Sequence, residues 1–188
     1  MHNPSICLEH IHMAFGEKQI FSDLSLSLAS PGQYAVLGPS GRGKTTLLRL
    51  IAGLEKPLSG TITLPENLKI SFCFQEDRLL PWKTVLENVL LAASNPDSAR
   101  YWLSKVGLSG EEHSYPETLS GGMKRRVALA RALSYDADAL LMDEPFRALD
   151  EQTHAEMLAL VRSAAMDKLL ILVTHDETDS EGMQIIRI

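Results

Sequence analysis

The sequence predicts an α/β fold with a mostly parallel core sheet flanked by helices, an N-terminal antiparallel β portion and a small helical insertion. Three observations carry that prediction. From residue 33 onward, short apolar runs alternate with segments of helical period, the pattern of a parallel sheet with helices on both faces. Before that point, ICLEHI and IFSDLSLSL (20–28) alternate apolar and polar residues, as half-buried strands of an antiparallel pair do. Over residues 84–118 the strand pattern gives way to two helical segments.

Taken in order, Pro31-Gly32 marks a turn after the antiparallel pair. QYAVLG (33–38) is a short buried-type strand that runs directly into GPSGRGKTT, and Leu47, Leu50, Ile51 and Leu54 then predict one apolar helix face. TITL and KISFCF read as strands on either side of Pro65. TVLENVLLAA and DSARYWLSKVGL read as helices separated by Asn95-Pro96. Roughly thirty-five residues cannot bury a core alone, so they belong to an insertion of about 78–134 within one domain (1–188), whose core is about 1–75 and 135–188. LSGGMKRRVALARAL (119–133) is a two-glycine turn leading into a basic, alanine-rich helix. DADALLMDEP is a buried strand ending in two acids. A helix follows over about 151–166, with Met157, Leu160, Val161 and Ala164 on one face. KLLILVTH is a further buried strand ending in a histidine, and MQIIRI reads as an edge strand.

With 188 residues and 45% hydrophobic composition, the chain is long enough to bury one sizeable core. A net charge of -6, from 18 basic and 24 acidic residues, gives no general attraction to nucleic acid or anionic lipid. Cys7 and Cys73 match no metal-ligand spacing and fit a reducing compartment. MHNPSICLEH lacks the features of a secretion signal, and the longest apolar runs, such as LLILV, are far too short to span a bilayer. The expectation is a soluble, cytosolic protein.

GPSGRGKT (38–45) satisfies G-x-x-x-x-G-K-[ST] with a strand before it and a helix after it. Gly38, Gly41 and Gly43 let backbone N–H groups turn inward toward phosphate oxygens beside Ser40, and the helix start adds its positive dipole end. Lys44 is suited to β- and γ-phosphates, Thr45 to Mg²⁺, and Thr46 to a phosphate oxygen. This predicts a P-loop nucleotide-binding fold. The motif alone does not choose a reaction, because small nucleotide kinases, guanylate kinases among them, have a similar loop and length.

Other residues narrow the choice. Asp143 closes an apolar strand and is suited to hold Mg²⁺ beside Thr45, while Glu144 would project toward the γ-phosphate and polarise water. Gln75 follows one strand and His175 ends another. The carboxyl ends of parallel strands share one rim, so Gln75, the acid pair and His175 are expected to converge on the P-loop.

These segments together resemble the ATP-binding subunit of an ABC (ATP-binding cassette) transporter. The motifs run in family order over nearly the whole chain: the P-loop, Gln75, LSGGMKRR, LLMDEP, Arg147-Ala148-Leu149-Asp150 and Thr174-His175. The resemblance implies MgATP bound between two subunits packed head to tail, the second a copy of the chain or a homologous ATPase. Ser120, Gly121 and Gly122 would then meet the γ-phosphate held by the partner's P-loop, where a helix N-terminus suits the charge. It further implies adenine stacking on Phe15, a cross-dimer link through Asp150, a γ-phosphate contact for His175, and sensing of Mg²⁺ and water by Gln75. Glu144, His175, Gln75 and Lys44 would carry catalysis. Lys124, Arg125 and Arg126 read as a solvated or salt-bridged helix face rather than a nucleic-acid site.

FQEDRLLPWKTVLENV (74–89), LSGGM and PFRALD resemble the importer ATPases of the nitrate, sulfonate and taurine group. That implies a transmembrane permease docking near Gln75 to Trp82, with Leu79, Leu80, Pro81 and Trp82 as an apolar socket. It also implies an extracytoplasmic solute-binding protein and a position on the cytoplasmic face of the membrane. Departures include compression over 60–75 and 81–119, a short segment after His175, and Arg147 where a small residue is usual. The competing readings are a small nucleotide kinase, a cassette that binds ATP without hydrolysing it, and a soluble cassette of DNA repair or translation.

Overall fold

The computed structural model describes residues 5–188, so the first four residues of MHNPSICLEH lie outside the described residues. Strands β1 (Ser5–Phe15) and β2 (Lys18–Ala29) form the expected antiparallel hairpin, turning at Gly16-Glu17. β4 (Ser59–Thr63) pairs with the other edge of β1, which gives a three-stranded antiparallel sheet. The second sheet contains β3 (Gly32–Leu37), β5 (Ile70–Cys73), β6 (Ala139–Asp143), β7 (Leu169–Val173) and β8 (Gln184–Arg187). Its order is β5-β6-β7-β3-β8, and every neighbouring pair is parallel. β8 is thus the edge strand that MQIIRI suggests.

Side-chain alternation along this sheet divides the interior in two. Ala35, Cys73, Leu140, Met142, Leu170 and Leu172 face one cluster, which also takes residues from α2 (Val85–Leu90), α3 (Pro96–Lys105), α4 (Gly121–Ser134) and α5 (Glu151–Ala164). Val36, Leu141, Ile171 and Val173 face the other, formed with α1 (Lys44–Ile51) and the antiparallel sheet. Helices do lie on both faces, but one face is shared between a single helix and a second sheet. β6 and β7 are covered on both sides, which is why both read as unbroken apolar runs.

The predicted apolar face of α1 needs one correction. Leu47, Leu50 and Ile51 are buried, but the helix stops at Ile51, and Leu54 is 55% exposed. Gly53, at φ 68°, turns the chain out of the helix before Leu54 completes the period. Asn95 caps α3 by accepting from Ser98 N–H, with Pro96 at the first helical position. Thr84 and Glu87 form a reciprocal capping box at α2.

Asn88, fully buried on α2, organises the segment before its own helix. Its Oδ1 accepts from Leu80 N–H at 2.7 Å, and its Nδ2 donates to the carbonyls of Leu80, Lys83 and Thr84 at 3.0–3.1 Å. Leu79 packs against the helical core, while Trp82 stands 70% exposed.

Strand register sets the rim. Cys73 is paired with Met142, Asp143 with Val173, and Val36 with Val173. Continuing each strand by one or two residues brings Gln75, Glu144, Thr174, His175 and the start of the P-loop to one edge of the sheet.

Candidate functional site

The loop after β3 closes on Gly43, which caps α1 at φ 107°. A Cβ there would lie 2.5 Å from Ile20 Cγ2 and 2.9 Å from Phe21 Cζ. Glycine is required for both the backbone angle and the space. Lys44 is almost buried, and its Nζ donates to Gly38 O at 2.7 Å and Pro39 O at 3.1 Å. An ammonium has three N–H donors, so one is left for an anion above the loop.

A cavity of about 410 Å³ opens over this loop. Its lining includes Ser40, Gly41, Gly43, Lys44, Thr45 and Thr46 on one side and Gln75, Glu144 and His175 on the other. Phe15, Lys18 and Ile20 close the end contributed by the β1–β2 hairpin. Phe15 is 46% exposed rather than a core residue, unlike Phe21 at 6%. Lys18 and Ile20 were not singled out from the sequence. Their signal was the antiparallel register, which pairs Phe15 with Lys18 and turns both toward the loop.

Glu144 is held by two side chains from different strand ends. His175 Nε2 lies 2.6 Å from Glu144 Oε1, and Gln75 Nε2 donates to Oε2 at 3.1 Å. The Glu144 backbone has φ 47°, uncommon for a residue with a Cβ, and its N–H donates to Val173 O at 3.0 Å. A carboxylate fixed in this way at the mouth of a phosphate loop can take a proton from water.

Asp143 lies behind Glu144 and is 2% exposed. Burial pushes its carboxyl above the ordinary aspartate value; the Thr45 hydroxyl opposes that shift, and the Glu144 charge adds to it. Its Oδ1 is buried without a hydrogen-bond partner. An orphaned carboxylate oxygen next to a threonine hydroxyl fits Mg²⁺, which takes few protein oxygens and completes its shell with phosphate and water. Between its unfolded and raised folded values, Asp143 binds more protons in the folded chain, so this group's contribution to stability falls as pH rises. Asp143→Asn is therefore expected to raise the thermal midpoint at neutral pH by about 2–4 °C, if roughly 1 kcal/mol of burial cost is relieved. The gain should shrink as the pH falls toward the ordinary carboxylate range. A thermal melt series across pH would contradict this by showing a lower midpoint for the variant at neutral pH.

The structure does not bring every anticipated residue to this cavity. Ser120 caps α4 by accepting from Met123 N–H, and Ser120 and Gly121 are exposed. Gly121 lines a separate recess with Gln75, Glu76, Asp77, Arg125, Arg147 and Ala148. Asp150 caps α5 through Thr153, and bonds from the Thr153 N–H and hydroxyl hold its carboxyl below the usual value.

Of the reading of Lys124 to Arg126 as a solvated or salt-bridged face, the ion pair is present, Arg125 Nη1 to Asp77 Oδ1 at 3.2 Å, but the solvated part needs correction. Arg125 is 2% exposed and bonds inward to main-chain carbonyls, and Arg126 Nη1 donates to Val106 O and Gly107 O. Sequence spacing could not reveal these acceptors, which lie far away along the chain. Also unforeseen was the chain of contacts behind His175. Buried Asp179 accepts from Thr174 Oγ1 and lies 2.6 Å from His154 Nε2, fixing the turn that carries His175.

The family model described as "ABC transporter" matches residues 21–147. The aliphatic sulfonates import ATP-binding protein SsuB 2 of Mesorhizobium japonicum is 47% identical over 178 residues, covering 92% of this chain and 72% of the relative. A similarly named protein of Granulibacter bethesdensis is 46% identical over 179 residues, covering 92% and 74%. A solved dimeric structure of a bacterial ABC transporter cassette superposes with a TM-score of 0.87 at 29% identity, covering 97% of this chain and 94% of that one. An Atm1-family ABC exporter with ATP bound shares the fold at 23% identity and TM-score 0.89, over 37% of its own length. Phosphate loop, acid-ended strand, glutamine and histidine thus occur together in a chain that belongs to the ABC transporter family as an ATP-binding, ATP-hydrolysing cassette.

Proposed function

We propose that the chain is the ATPase subunit of a bacterial importer for small solutes of the nitrate, sulfonate and taurine kind, with sulfonates favoured by its relatives. The observation that carries the hydrolytic reading is the Glu144 carboxylate gripped between His175 and Gln75 at the mouth of the P-loop cavity. The cargo class rests on the relatives' names and on the resemblance of the 74–89 loop.

In this reading Phe15 stacks on adenine, an exposed ring suited to π overlap. The loop amides at Gly38, Ser40, Gly41 and Gly43, with Lys44 and Thr46, hold the β- and γ-phosphates. Thr45 and Asp143 would hold Mg²⁺, with Gln75 as its sensor, and the ion would supply charge neutralisation at the phosphate oxygens. Glu144 accepts a proton from the attacking water as its oxygen bonds to the γ-phosphorus and the bridging oxygen departs with ADP. His175 keeps the carboxylate aimed and reaches the γ-phosphate.

Ser120, Gly121 and Gly122 lie outside the chain's own cavity, which supports their use in a partner's site. Two copies, or this chain and a homologous ATPase, would pack head to tail, with Asp150 linking the sites. Segment 75–82 would dock a permease on the cytoplasmic face of the membrane, with Trp82 exposed for contact and a solute-binding protein outside the cell. No helix among the described residues is long and apolar enough to cross a membrane, so the spanning part would come from that permease.

Light scattering tests the arrangement. The Glu144→Gln protein, able to bind but not cleave ATP, is expected to move from monomer to dimer mass with MgATP, and Ser120→Arg to abolish the shift. A mass that never changes with nucleotide at any concentration would sink the head-to-tail proposal.

A further inference from the structure

We infer that Arg125 is a positioning residue for hydrolysis: from α4, its buried guanidinium sets the backbones of Gln75 and Glu144 in register. This rests on the reading of Glu144 as the base.

The Arg125 side chain is 3% exposed and engages two segments at once. Nε donates to Pro145 O at 2.7 Å, and Nη2 donates to Asp143 O at 3.1 Å and Glu144 O at 2.8 Å. Nη1 donates to Phe74 O at 2.7 Å, to Asp77 Oδ1 at 3.2 Å and, at a longer 3.4 Å, to Gln75 O. The paired residues of β5 and β6 end at Cys73 and Met142. Immediately beyond those residues, this one planar fork takes over as the cross-link. The side chains of the same two residues then meet at 3.1 Å, Gln75 on Glu144.

The chemistry demands arginine. Six acceptors around a plane need donors spread along several edges, which a guanidinium has and an ammonium lacks. The hold also explains how Glu144 keeps its φ of 47°. Because Arg125 lies five residues after Ser120 on one helix, a displacement of the helix end proposed to meet a partner's nucleotide reaches the chain's own base through one side chain. Arg131 adds to the grip, donating to Arg78 O at 2.8 Å and Asp77 O at 2.6 Å.

Steady-state ATPase assays on Arg125→Lys, Gln75→Ala and the double variant test this. Arg125→Lys is expected to lower kcat at least tenfold while KM for MgATP stays within about threefold, because the P-loop is untouched. In the Gln75→Ala background the same change should cost less than it does in the parent, because the side-chain link from Gln75 to Glu144 is already gone and only the hold on the Glu144 backbone remains to be lost. A kcat within about twofold of the parent, or effects that multiply in full, would overturn the assignment. Should Arg125→Lys fail to fold by circular dichroism, Asp77→Ala removes only one acceptor and is read in the same way. About a threefold loss in kcat at unchanged KM is then expected, and an unchanged kcat overturns the assignment. Parent-like turnover by Glu144→Gln would instead mean that the base is misassigned, whatever Arg125 does.

Discussion

Glu144→Gln is expected to lower kcat about 10²–10⁴-fold, the range over which a positioned general base acts, while leaving ATP affinity within a few-fold of the parent. The amide is nearly isosteric, so the loss is chemical rather than structural. Glu144 Oε1 faces His175 at 2.6 Å and Oε2 accepts from Gln75 at 3.1 Å. Glutamine keeps one acceptor oxygen but replaces the other with an NH₂, and neither group takes up a proton at neutral pH. Binding should survive because Lys44, the loop amides and Thr45 come from β3 and α1 and do not touch the substituted atoms. Single-turnover hydrolysis and nucleotide titration on the same preparation separate the two effects. A variant turning over within tenfold of the parent would remove Glu144 as the base and leave His175 as the group to examine.

Lys44→Ala should act on the other side of the balance, weakening ATP binding itself. Removing one partner of a desolvated, hydrogen-bonded charge pair costs about 2–5 kcal/mol, or roughly 30- to several-thousand-fold in Kd. The side chain is 6% exposed and already anchored to Gly38 O and Pro39 O, so its cation is held in place before phosphate arrives. Alanine removes the charge and also leaves two loop carbonyls without a donor. Calorimetric titration with MgATP reads the change; a Kd within about threefold of the parent would mean that loop amides alone hold the phosphates.

Strand-end chemistry was the most legible part of the chain. Gln75, Asp143, Glu144 and His175 each follow or close a recognisable apolar run, and parallel pairing forces such ends onto one rim. The P-loop announced itself by its spacing and by its strand and helix flanks. Leu54 was misread because apolar period continues past Gly53, whereas backbone conformation does not. The burial of Arg125 was missed because, Asp77 apart, its acceptors are carbonyl oxygens 18–51 residues away, and carbonyls leave no mark in a side-chain pattern. His154 and Asp179 were missed for a similar reason: two polar residues 25 positions apart look solvated until α5 and the turn after β7 are packed together. Lys18 depended on hairpin register, which fixes where a side chain points but is not printed in its identity.

The Asn88 hub has a consequence for recognition. Four hydrogen bonds from one buried amide fix the shape of residues 80–84 in the isolated chain. If a permease docks at segment 75–82 as proposed, it would meet a template that is already ordered, with little conformational entropy left to be lost on this side of the contact. Discrimination between partners would then depend on shape fit to a backbone held on either side of Trp82. A partner that does not match gains nothing from the segment adapting to it.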